Sequence, residues 1–495
     1  MLVGFVVLYL AISIAIGLLA ARRVHNTADY AVAGRSLPLA VVIATTFATW
    51  FGSETVVGVS ARFVSGNLGE VVEDPFGASM CLVLVGLFFA YKLYQRNLIT
   101  LGDYYRLRYG RTIEVLCSIM ILVSYLGWVA AQVTALGLVF HLLLPDTISV
   151  VGGMILGTAI VLVYTLYGGM WSVALTDFVQ MIIIAAGLLA IAWFAAGLAG
   201  GADKVIDYAA TNGKFQFFPE GGTREWIFFF AAAITMMLGS IPQQDVFQRV
   251  MSSKDAKTAV RGPVIGGLLY LAFAMIPMFI VTAAVMVMGD QATTLLQDDP
   301  QKVLPTLVME RMPVVLQVAF FGALLSAIMS TASATLLAPS TTFVENILRN
   351  IKPGMSDRAT LRAMRISVLV FTAIVLVYAI SMQGTSIYEL VSGAYQVPLV
   401  GAFTPLVFGL YWKRATTQGA LASVTLGLFT WLFFVVTPPL AEAFPQQLAG
   451  LIAALVGMIA GSLLPQWVGD VKGRVHHYEG SGSGNADAPS VASAA

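Results

Sequence analysis

The stretch Ala44-Thr-Thr-Phe-Ala-Thr-Trp-Phe-Gly-Ser-Glu-Thr-Val-Val-Gly58 is an apolar run that is interrupted at its centre by Gly52 and polar neighbours. A second stretch, Met236-Met-Leu-Gly-Ser-Ile-Pro-Gln-Gln-Asp245, is interrupted in the same way by Gly239 and Pro242. A single glycine or proline in a membrane helix often serves only close packing or a kink. Two interruptions at corresponding places in two halves of a chain instead indicate a pair of broken membrane helices.

The composition places most of this chain in lipid. Of its 495 residues, 58% are hydrophobic and 11% are charged, whereas an ordinary soluble domain has about 25% charged residues. Apolar runs of about twenty residues fit a membrane-spanning helix, while the strands of membrane barrels alternate over about ten residues. Since backbone groups in lipid have to be satisfied within the protein, the runs predict an all-α polytopic membrane protein.

Thirteen apolar runs are separated by polar segments. They lie at residues 2–21, 37–60, 72–91, 113–142, 149–168, 171–197, 225–247, 263–289, 313–346, 366–382, 385–411, 417–437 and 446–466. The interrupted runs are the second and the seventh, so runs two to six and seven to eleven form two units of five helices. Because five is odd, the second unit enters the membrane upside down, which predicts an inverted-repeat core.

The same division predicts how the chain is organised. One accessory helix precedes the repeats, a loop separates them, and two accessory helices and a tail follow. The predicted segments are 1–36 (first helix and cytoplasmic loop), 37–197 (first repeat), 198–224 (extracellular loop), 225–411 (second repeat), 412–470 (accessory helices) and 471–495 (cytoplasmic tail). The tail is rich in Gly, Ser and Ala, and this composition predicts disorder.

The basic residues predict an orientation with the N-terminus outside and the C-terminus inside. On that assignment, 21 of the 27 Lys and Arg residues lie in inside loops and six lie in outside loops. Arg22 and Arg23 follow the first run, so this run is predicted to be a retained helix in the cell inner membrane rather than a signal peptide. No Lys or Arg falls in the interior of a predicted span. The net charge of +1 and the absence of a basic run do not indicate nucleic-acid binding.

The ninth run carries hydroxyl groups in a pattern that suits sodium. Ser326, Ser330 and Ser333 follow helical spacing along one face, and Thr331 is adjacent to them. Sodium is a hard cation that prefers oxygen ligands, as calcium and magnesium do, and a broken helix supplies free carbonyls. The alternative is that these hydroxyls bond their own helix and allow close packing, and the pattern alone favours neither interpretation.

Asp177 favours the sodium interpretation, because it lies about two turns into the sixth run. An ionisable group at that depth is costly and is a functional candidate by default. With no basic residue in any predicted span, its natural partner is a bound cation. The alternative is an acid near the membrane interface at a helix start.

Several motifs resemble those of the sodium:solute symporter family, and the resemblance covers residues 1–470. They are Tyr167-Gly-Gly-Met170 with Thr176-Asp-Phe-Val-Gln180, Ser326-Ala-Ile-Met-Ser-Thr331, and Trp412-Lys-Arg followed by Gly419-Ala420. The resemblance implies a LeuT-like inverted-repeat core, with five helices in each half, that transports Na⁺ together with a small organic solute. It implies one sodium held by the carbonyls of Ala48, Phe51 and Ala327 and the hydroxyls of Ser330 and Thr331.

Some members of that family hold a second sodium. The resemblance places it at Asp177, Ser330, Ser333 and Ala334, and alanine at the last position removes a hydroxyl ligand.

Within the family, the resemblance is nearest to the high-affinity choline transporter branch. The matching stretches are Ala48-Thr-Trp50, Gly86-Leu-Phe-Phe-Ala90, Gly239-x-Ile-Pro242 and Phe247-Gln-Arg249. That branch encloses its quaternary ammonium with tryptophans, and two of those positions match Trp50 and Trp128. A third matches Gln243, so one wall of the cage is absent here.

The solute is predicted to bind between the broken helices and the flanking spans. The predicted contacts are Thr49, Trp50, Ser53, Trp128, Gln132, Gln243, Gln244, Asp245, Tyr395 and Gln396. Tryptophan faces attract cations by about 0.5–2 kcal/mol each, and no basic side chain is available to pair with an anion. A cationic or neutral solute is therefore favoured, and a choline-like amine is the best single candidate.

Other interpretations stay open at this stage. A neutral amino acid such as proline, or another small polar solute, fits Gln243 as well as an amine does, and each tryptophan alone is also typical of packing. A transporter-like sensor is a more remote alternative. No spacing in the spans indicates an enzyme, and the protein is predicted to function as a monomer.

Overall fold

The computed structural model describes residues 2–469, whose regular secondary structure is helical, with no β-strand among them. The tail predicted to be disordered, 471–495, lies outside the described residues. Ten helices are long and apolar enough to cross a bilayer, and two further spans are bent pairs of shorter helices. The all-α membrane architecture predicted from composition is therefore confirmed.

The membrane helices are labelled α1 to α14 in chain order. They are α1 (Leu2–Ala21), α2 (Leu39–Trp50), α3 (Glu54–Ser65), α4 (Leu68–Tyr94), α5 (Arg111–Leu143), α6 (Val150–Leu198), α7 (Thr223–Gly239), α8 (Gln244–Ser252), α9 (Ala256–Met288), α10 (Val314–Ile351), α11 (Asp357–Ser381), α12 (Ile387–Tyr411), α13 (Thr417–Val435) and α14 (Gln446–Leu463). Shorter helices lie in the connections, at Thr27–Val32, Leu101–Tyr109, Ala202–Thr211, Asp290–Asp298, Val303–Arg311 and Pro438–Ala443.

The two interrupted runs of the sequence are the two bent spans. Helices α2 and α3 meet at an angle of 53°, and helices α7 and α8 meet at 44°. Each bend lies at the glycine-containing break that the sequence shows. Both predicted interruptions are therefore real breaks in the helices.

Helix α6 contains two spans joined by a sharp bend. Its 49 residues would extend about 74 Å at 1.5 Å per residue, more than twice the hydrocarbon thickness of a bilayer. The helix is broken at Gly169, whose φ of +49° and ψ of −142° are not helical. A Cβ there would lie 2.5 Å from the carbonyl oxygen of Tyr30, so only glycine fits. Dividing α6 at this point raises the count from twelve spans to the thirteen predicted.

Glycines allow the elements around the two breaks to approach one another closely. A Cβ on Gly239, at the end of α7, would lie 2.4 Å from the carbonyl oxygen of Tyr395 in α12. A Cβ on Gly127 in α5 would lie 2.6 Å from the carbonyl oxygen of Leu390, also in α12. Helix α10 packs against α2, α5 and α6. The broken spans, α5, α10 and α12 thus surround one common centre.

Candidate functional site

The first break exposes backbone groups of α2 to the hydroxyl-bearing helix α10. Helix α2 ends at Trp50, Phe51 has non-helical angles (φ −88°, ψ 72°), and α3 begins at Glu54. The hydroxyl of Thr331 donates to the carbonyl oxygen of Ala48 across 3.4 Å. The structure therefore brings together the end of the broken helix and the hydroxyl run of the ninth predicted span, and Ala327 and Ser330 are buried in the same part of α10.

Gly52 lies between two polar groups that come from different elements. A Cβ at this position would be 2.5 Å from Oε2 of Glu54 and 2.6 Å from the hydroxyl oxygen of Thr331. A Cβ at this position would require both side-chain ends to shift, so glycine lets the two groups approach the break closely. The Glu54 carboxylate and the Thr331 hydroxyl consequently lie on the same side of the break.

Asp177 is buried in α6 and is bonded to hydroxyl groups of two other helices. Ser330 donates to its Oδ1 at 2.6 Å, and Thr45 donates to its Oδ2. Ser333 instead donates to the carbonyl oxygen of Ser330 at 2.9 Å, within its own helix. Of the predicted second-sodium residues, the structure therefore joins Asp177 to Ser330 and directs Ser333 elsewhere.

Arg249 overturns the expectation that no basic residue lies inside a span. It is the one fully buried Lys or Arg among residues 2–469, with 1% exposure. Its guanidinium donates to the hydroxyl of Thr49 at 2.7 Å and to the carbonyl oxygen of Asp245 at 2.9 Å. Its charge also interacts with that of Asp177. Asp177 therefore has a basic neighbour inside the protein, contrary to the sequence-based premise.

The sequence-based assignment of Arg249 was wrong for a simple reason. Hydropathy ends the seventh run at residue 247, so the sequence interpretation assigns Arg249 to a cytoplasmic loop. In the structure α8 continues to Ser252 and all nine of its residues are buried. Asp245, one turn before Arg249, was the available signal, because acid and base four residues apart are common partners on a helix.

Aromatic rings from three helices form a cluster beside the first break. The ring centroids of Trp50 and Trp128 are 5.7 Å apart, and Tyr395 lies 6.1 Å from Trp50 and 5.3 Å from Trp128. Tyr125 stacks on Trp128 at 6.1 Å. In the described part of the chain, the indole nitrogen of Trp50 and the hydroxyl of Tyr395 have no hydrogen-bond partner. We call Trp50, Trp128 and Tyr395 the aromatic cluster.

Glu54 lies against this cluster, although the sequence interpretation left it out of the predicted solute contacts. Its side chain is buried, with 1% exposure. Gln132 donates to its Oε2 at 2.6 Å, and the indole of Trp128 donates to its Oε1 at 3.4 Å. The backbone N–H of Ser53 donates to the amide oxygen of Gln132 at 3.1 Å. An acid directly after the Gly-Ser break, in an otherwise uncharged run, was the signal that could have identified it.

The second break presents polar groups toward α5. Gln243 donates to the hydroxyl of Ser124 at 2.8 Å, and Tyr125 donates its hydroxyl hydrogen to Oδ1 of Asp245. Within residues 2–469, Oε1 of Gln243 and Oδ2 of Asp245 are buried without a partner. Both oxygen atoms can accept a further hydrogen bond.

Two predicted contacts point away from the aromatic cluster. The side-chain amide of Gln244 bonds the backbone of Ile99 and Leu101, in the connection after α4. The amide oxygen of Gln396 accepts hydrogen bonds from Trp431 and Gln446, which belong to α13 and α14. In this structure neither side chain is available to a solute at the cluster.

The buried ionisable side chains around the breaks are predominantly acidic. Glu54, Asp177 and Asp245 are buried close to them, and Asp74 is buried beside Tyr270, which also contacts Thr55 of α3. Arg249 is a basic neighbour of Asp177 and Asp245. Because an ionised carboxylate without a positive partner is costly to bury, the excess of acidic groups favours bound cations over bound anions.

A bundle with two broken spans around a buried polar and aromatic centre defines a secondary transporter of the LeuT-like fold. The solved structures agree. The chain shares a TM-score of 0.80 and 19% identity with a Na⁺-coupled sialic acid symporter, over 95% of this chain and 99% of that one. It shares a TM-score of 0.56 and 15% identity with MhsT, over 86% of this chain and 98% of that one. At these identities the likeness shows the fold alone.

The chain belongs to the sodium:solute symporter family, whose model matches residues 30–427. The human high affinity choline transporter 1 is 30% identical over 86% of this chain and 75% of its own length. The high-affinity proline transporter PutP of Bacillus subtilis is 28% identical over 91% of this chain and 95% of its own. The sodium/glucose cotransporter of Vibrio parahaemolyticus is 24% identical over 94% and 90%. The family consists of transporters, so the chain is not assigned to an enzyme class.

Replacing Arg249 by glutamine should destabilise the protein strongly. The substitution leaves the buried carboxylates of Asp177 and Asp245 without their basic neighbour, and such a loss costs about 3–5 kcal/mol. We expect a lower unfolding temperature in detergent, measured by intrinsic fluorescence. The matched control is Arg261→Gln, which removes the same charge from an exposed position and should change stability little. Equal stability of the two variants would contradict the structural role of Arg249.

Proposed function

We propose that this chain couples the entry of Na⁺ to the uptake of a small organic cation, with a choline-like amine as the best single candidate. The observation that carries the proposal is the Glu54 carboxylate buried against the aromatic cluster. An ammonium group bound against these rings would find both a carboxylate and aromatic faces. Each favourable ring contact is worth about 0.5–2 kcal/mol, most when water is excluded.

The polar groups beside the cluster support recognition of the rest of the solute. The free oxygen atoms of Gln243 and Asp245, together with the unpartnered Tyr395 hydroxyl and Trp50 indole, offer both acceptors and donors. A hydroxyl group on the solute could supply a hydrogen-bond partner to these buried atoms. Thr49 and Ser53 are bonded to protein groups and would border the site.

For sodium, we propose a site formed by the carbonyls of Ala48, Phe51 and Ala327 and the hydroxyls of Ser330 and Thr331. The contact between Thr331 and the Ala48 carbonyl supports it, because two of the five groups already lie together. These are neutral oxygen ligands of the kind that hard cations prefer. For a second sodium, Asp177 and Ser330 are the candidate ligands that already lie together. Ser333 would join them only if its hydroxyl rotated away from the carbonyl of Ser330.

Sodium entry is strong enough to drive accumulation of a solute. One positive charge that crosses 100 mV releases about 2.3 kcal/mol. A tenfold concentration ratio across the membrane costs about 1.4 kcal/mol. The entry of one sodium can therefore sustain roughly 40-fold accumulation of a neutral solute from voltage alone. A cationic solute adds its own charge to the same driving force.

The transport cycle follows from the two breaks. Sodium bound between α2 and α10 would stabilise the bend at Gly52 and hence the solute site next to it. The solute would then complete the closed form, in which the cluster is buried as it is here. The two repeats would rock about this centre to release both cations on the opposite side.

We further propose that the protein functions as a monomer in the cell inner membrane, with its N-terminus outside and its C-terminus inside. The distribution of Lys and Arg supports this orientation. Arg249 lies in a buried helix and no longer counts as a loop residue, yet 20 of the 27 basic residues still fall in inside loops.

A neutral solute such as proline is a second candidate. The position that carries a tryptophan in the choline transporter branch is Gln243 here, and an amide is as suitable for a neutral polar group as for an amine. The likeness to the proline transporter PutP over nearly the full length of both chains also favours this candidate.

Uptake into proteoliposomes tests the proposal directly. Purified protein is reconstituted with a sodium gradient directed inward, and uptake of labelled choline is compared with that of labelled proline. We expect choline to accumulate above its external concentration, and to stop accumulating when external sodium is replaced by potassium. Accumulation of proline but not choline would favour the second candidate, and sodium-independent equilibration would contradict symport.

Replacing Thr331 by alanine should weaken sodium binding, because it removes one of the five proposed ligands. We expect a reduction of about tenfold or more in sodium affinity, corresponding to about 1.4 kcal/mol or more, measured by sodium-dependent thermal stabilisation. The control is Thr335→Ala, since Thr335 donates only to carbonyls of its own helix. An unchanged sodium affinity in Thr331→Ala would contradict the proposed site.

A further inference from the structure

Glu54 lies next to the proposed sodium site. The Cβ position of Gly52 is 2.5 Å from Oε2 of Glu54 and 2.6 Å from the Thr331 hydroxyl oxygen. These two oxygen atoms therefore lie within about 5 Å of each other, the sum of the two distances. Thr331 in turn contacts the carbonyl of Ala48. The carboxylate thus borders the site proposed for sodium.

The same carboxylate also borders the aromatic cluster. Its Oε1 accepts from the indole of Trp128, and its Oε2 accepts from Gln132. An ionised carboxylate has room for about four hydrogen bonds or ion contacts, so each oxygen can accept a further partner. Both donors come from α5, which fixes the carboxylate between the cluster and the helix break. Neither donor carries a charge, so the negative charge of Glu54 remains uncompensated by them.

We propose that Glu54 is shared by the two transported cations, as an anionic ligand for sodium on one side and as the counter-charge of the solute ammonium on the other. This inference rests on the proposed function, since it needs a cationic solute. It adds a charged ligand to a sodium site otherwise built from neutral oxygen atoms. It also makes one side chain responsible for the link between the two binding events.

A shared carboxylate has a consequence for coupling. Sodium bound beside Oε2 would hold the start of α3 in place and so fix the direction of Oε1 toward the cluster. The solute would then bind to a preformed site, and by linkage it would tighten sodium binding by the same factor.

A shared carboxylate also limits the class of solute. A zwitterion that carries both an ammonium and a carboxylate, such as glycine betaine, would bring its own negative charge close to Glu54 and would be repelled. A cation without a carboxylate has no such penalty. Choline and related amino alcohols therefore fit the site better than betaines or amino acids.

The test compares Glu54→Gln with the wild-type protein in two separate titrations, both followed by thermal stabilisation of the purified full chain. The first titrates sodium in the absence of any organic solute, with potassium keeping the ionic strength constant. The second titrates choline, glycine betaine and 3,3-dimethylbutan-1-ol, which is the uncharged counterpart of choline, at saturating sodium.

We expect Glu54→Gln to lower sodium affinity at least tenfold in the first titration. In the second, the wild type should bind choline at least tenfold more tightly than either of the other two compounds, and the variant should lose this preference. The control is Glu73→Gln, which removes a buried carboxylate that is bonded to Ser392. Its sodium affinity should equal that of the wild type.

Several outcomes would overturn the shared role. Unchanged sodium affinity in Glu54→Gln, with choline binding lost, would restrict Glu54 to the solute and leave the proposed function intact. Failure of the wild type to bind any organic cation would refute both the shared role and the proposed function. The sodium titration contains no solute, so these two failures are distinguishable. If Glu54→Gln does not fold, Glu54→Asp keeps the charge but withdraws it by one methylene, and wild-type sodium affinity in that variant would equally refute the role.

Discussion

The contact between the Thr331 hydroxyl and the carbonyl of Ala48 is the interaction on which the rest of this site depends. A helix that stops inside the membrane leaves backbone groups without partners, and each such group costs several kcal/mol in lipid. Thr331 of α10 supplies a partner for the Ala48 carbonyl, and Gln132 of α5 supplies one for the N–H of Ser53, so the break at Gly52 can persist in an apolar bundle. Once the break exists, the carbonyls of α2, the Glu54 carboxylate and the ring of Trp50 are all directed toward one centre.

The electrostatic balance of this centre supports cation transport. Arg249 is bonded to Thr49 and to the backbone of Asp245, and its charge also acts on Asp177. One guanidinium therefore stabilises the acids on the α8 side of the site. Glu54 accepts hydrogen bonds only from uncharged donors, so in the proposed account its negative charge is available to the transported cations. In the proposed account, sodium and an organic ammonium supply the missing positive charge during each cycle and remove it when they leave.

The sequence was sufficient to predict the fold because the strongest signals are long-range properties of composition. Runs of apolar residues set the spans, and the glycine-containing breaks at residues 52 and 239 were visible as polar interruptions. Even the division of α6 at Gly169 appeared as a gap between two predicted runs. In lipid, few architectures satisfy the backbone, so hydropathy alone predicts most of the spans.

The site was less accessible to prediction, because side-chain direction depends on packing rather than on pattern. Gln244 and Gln396 lie one residue from Gln243 and Tyr395, yet their amides bond the connection after α4 and the accessory helices instead. Arg249 was assigned to a loop because the seventh apolar run ends at residue 247, two residues before this polar side chain, whereas the helix continues to Ser252. Glu54 stands directly after the break in the sequence, but only the structure shows its bonds to Gln132 and Trp128.

The measurement that tests the central claim most directly is a pair of experimental structures of the purified protein, one in sodium and one in potassium. The account predicts a bend at Gly52 in both and, in sodium alone, density for an ion coordinated by the Ala48 carbonyl and the Thr331 hydroxyl. A continuous helix through Gly52, or a sodium ion bound away from the contact between α2 and α10, would contradict it.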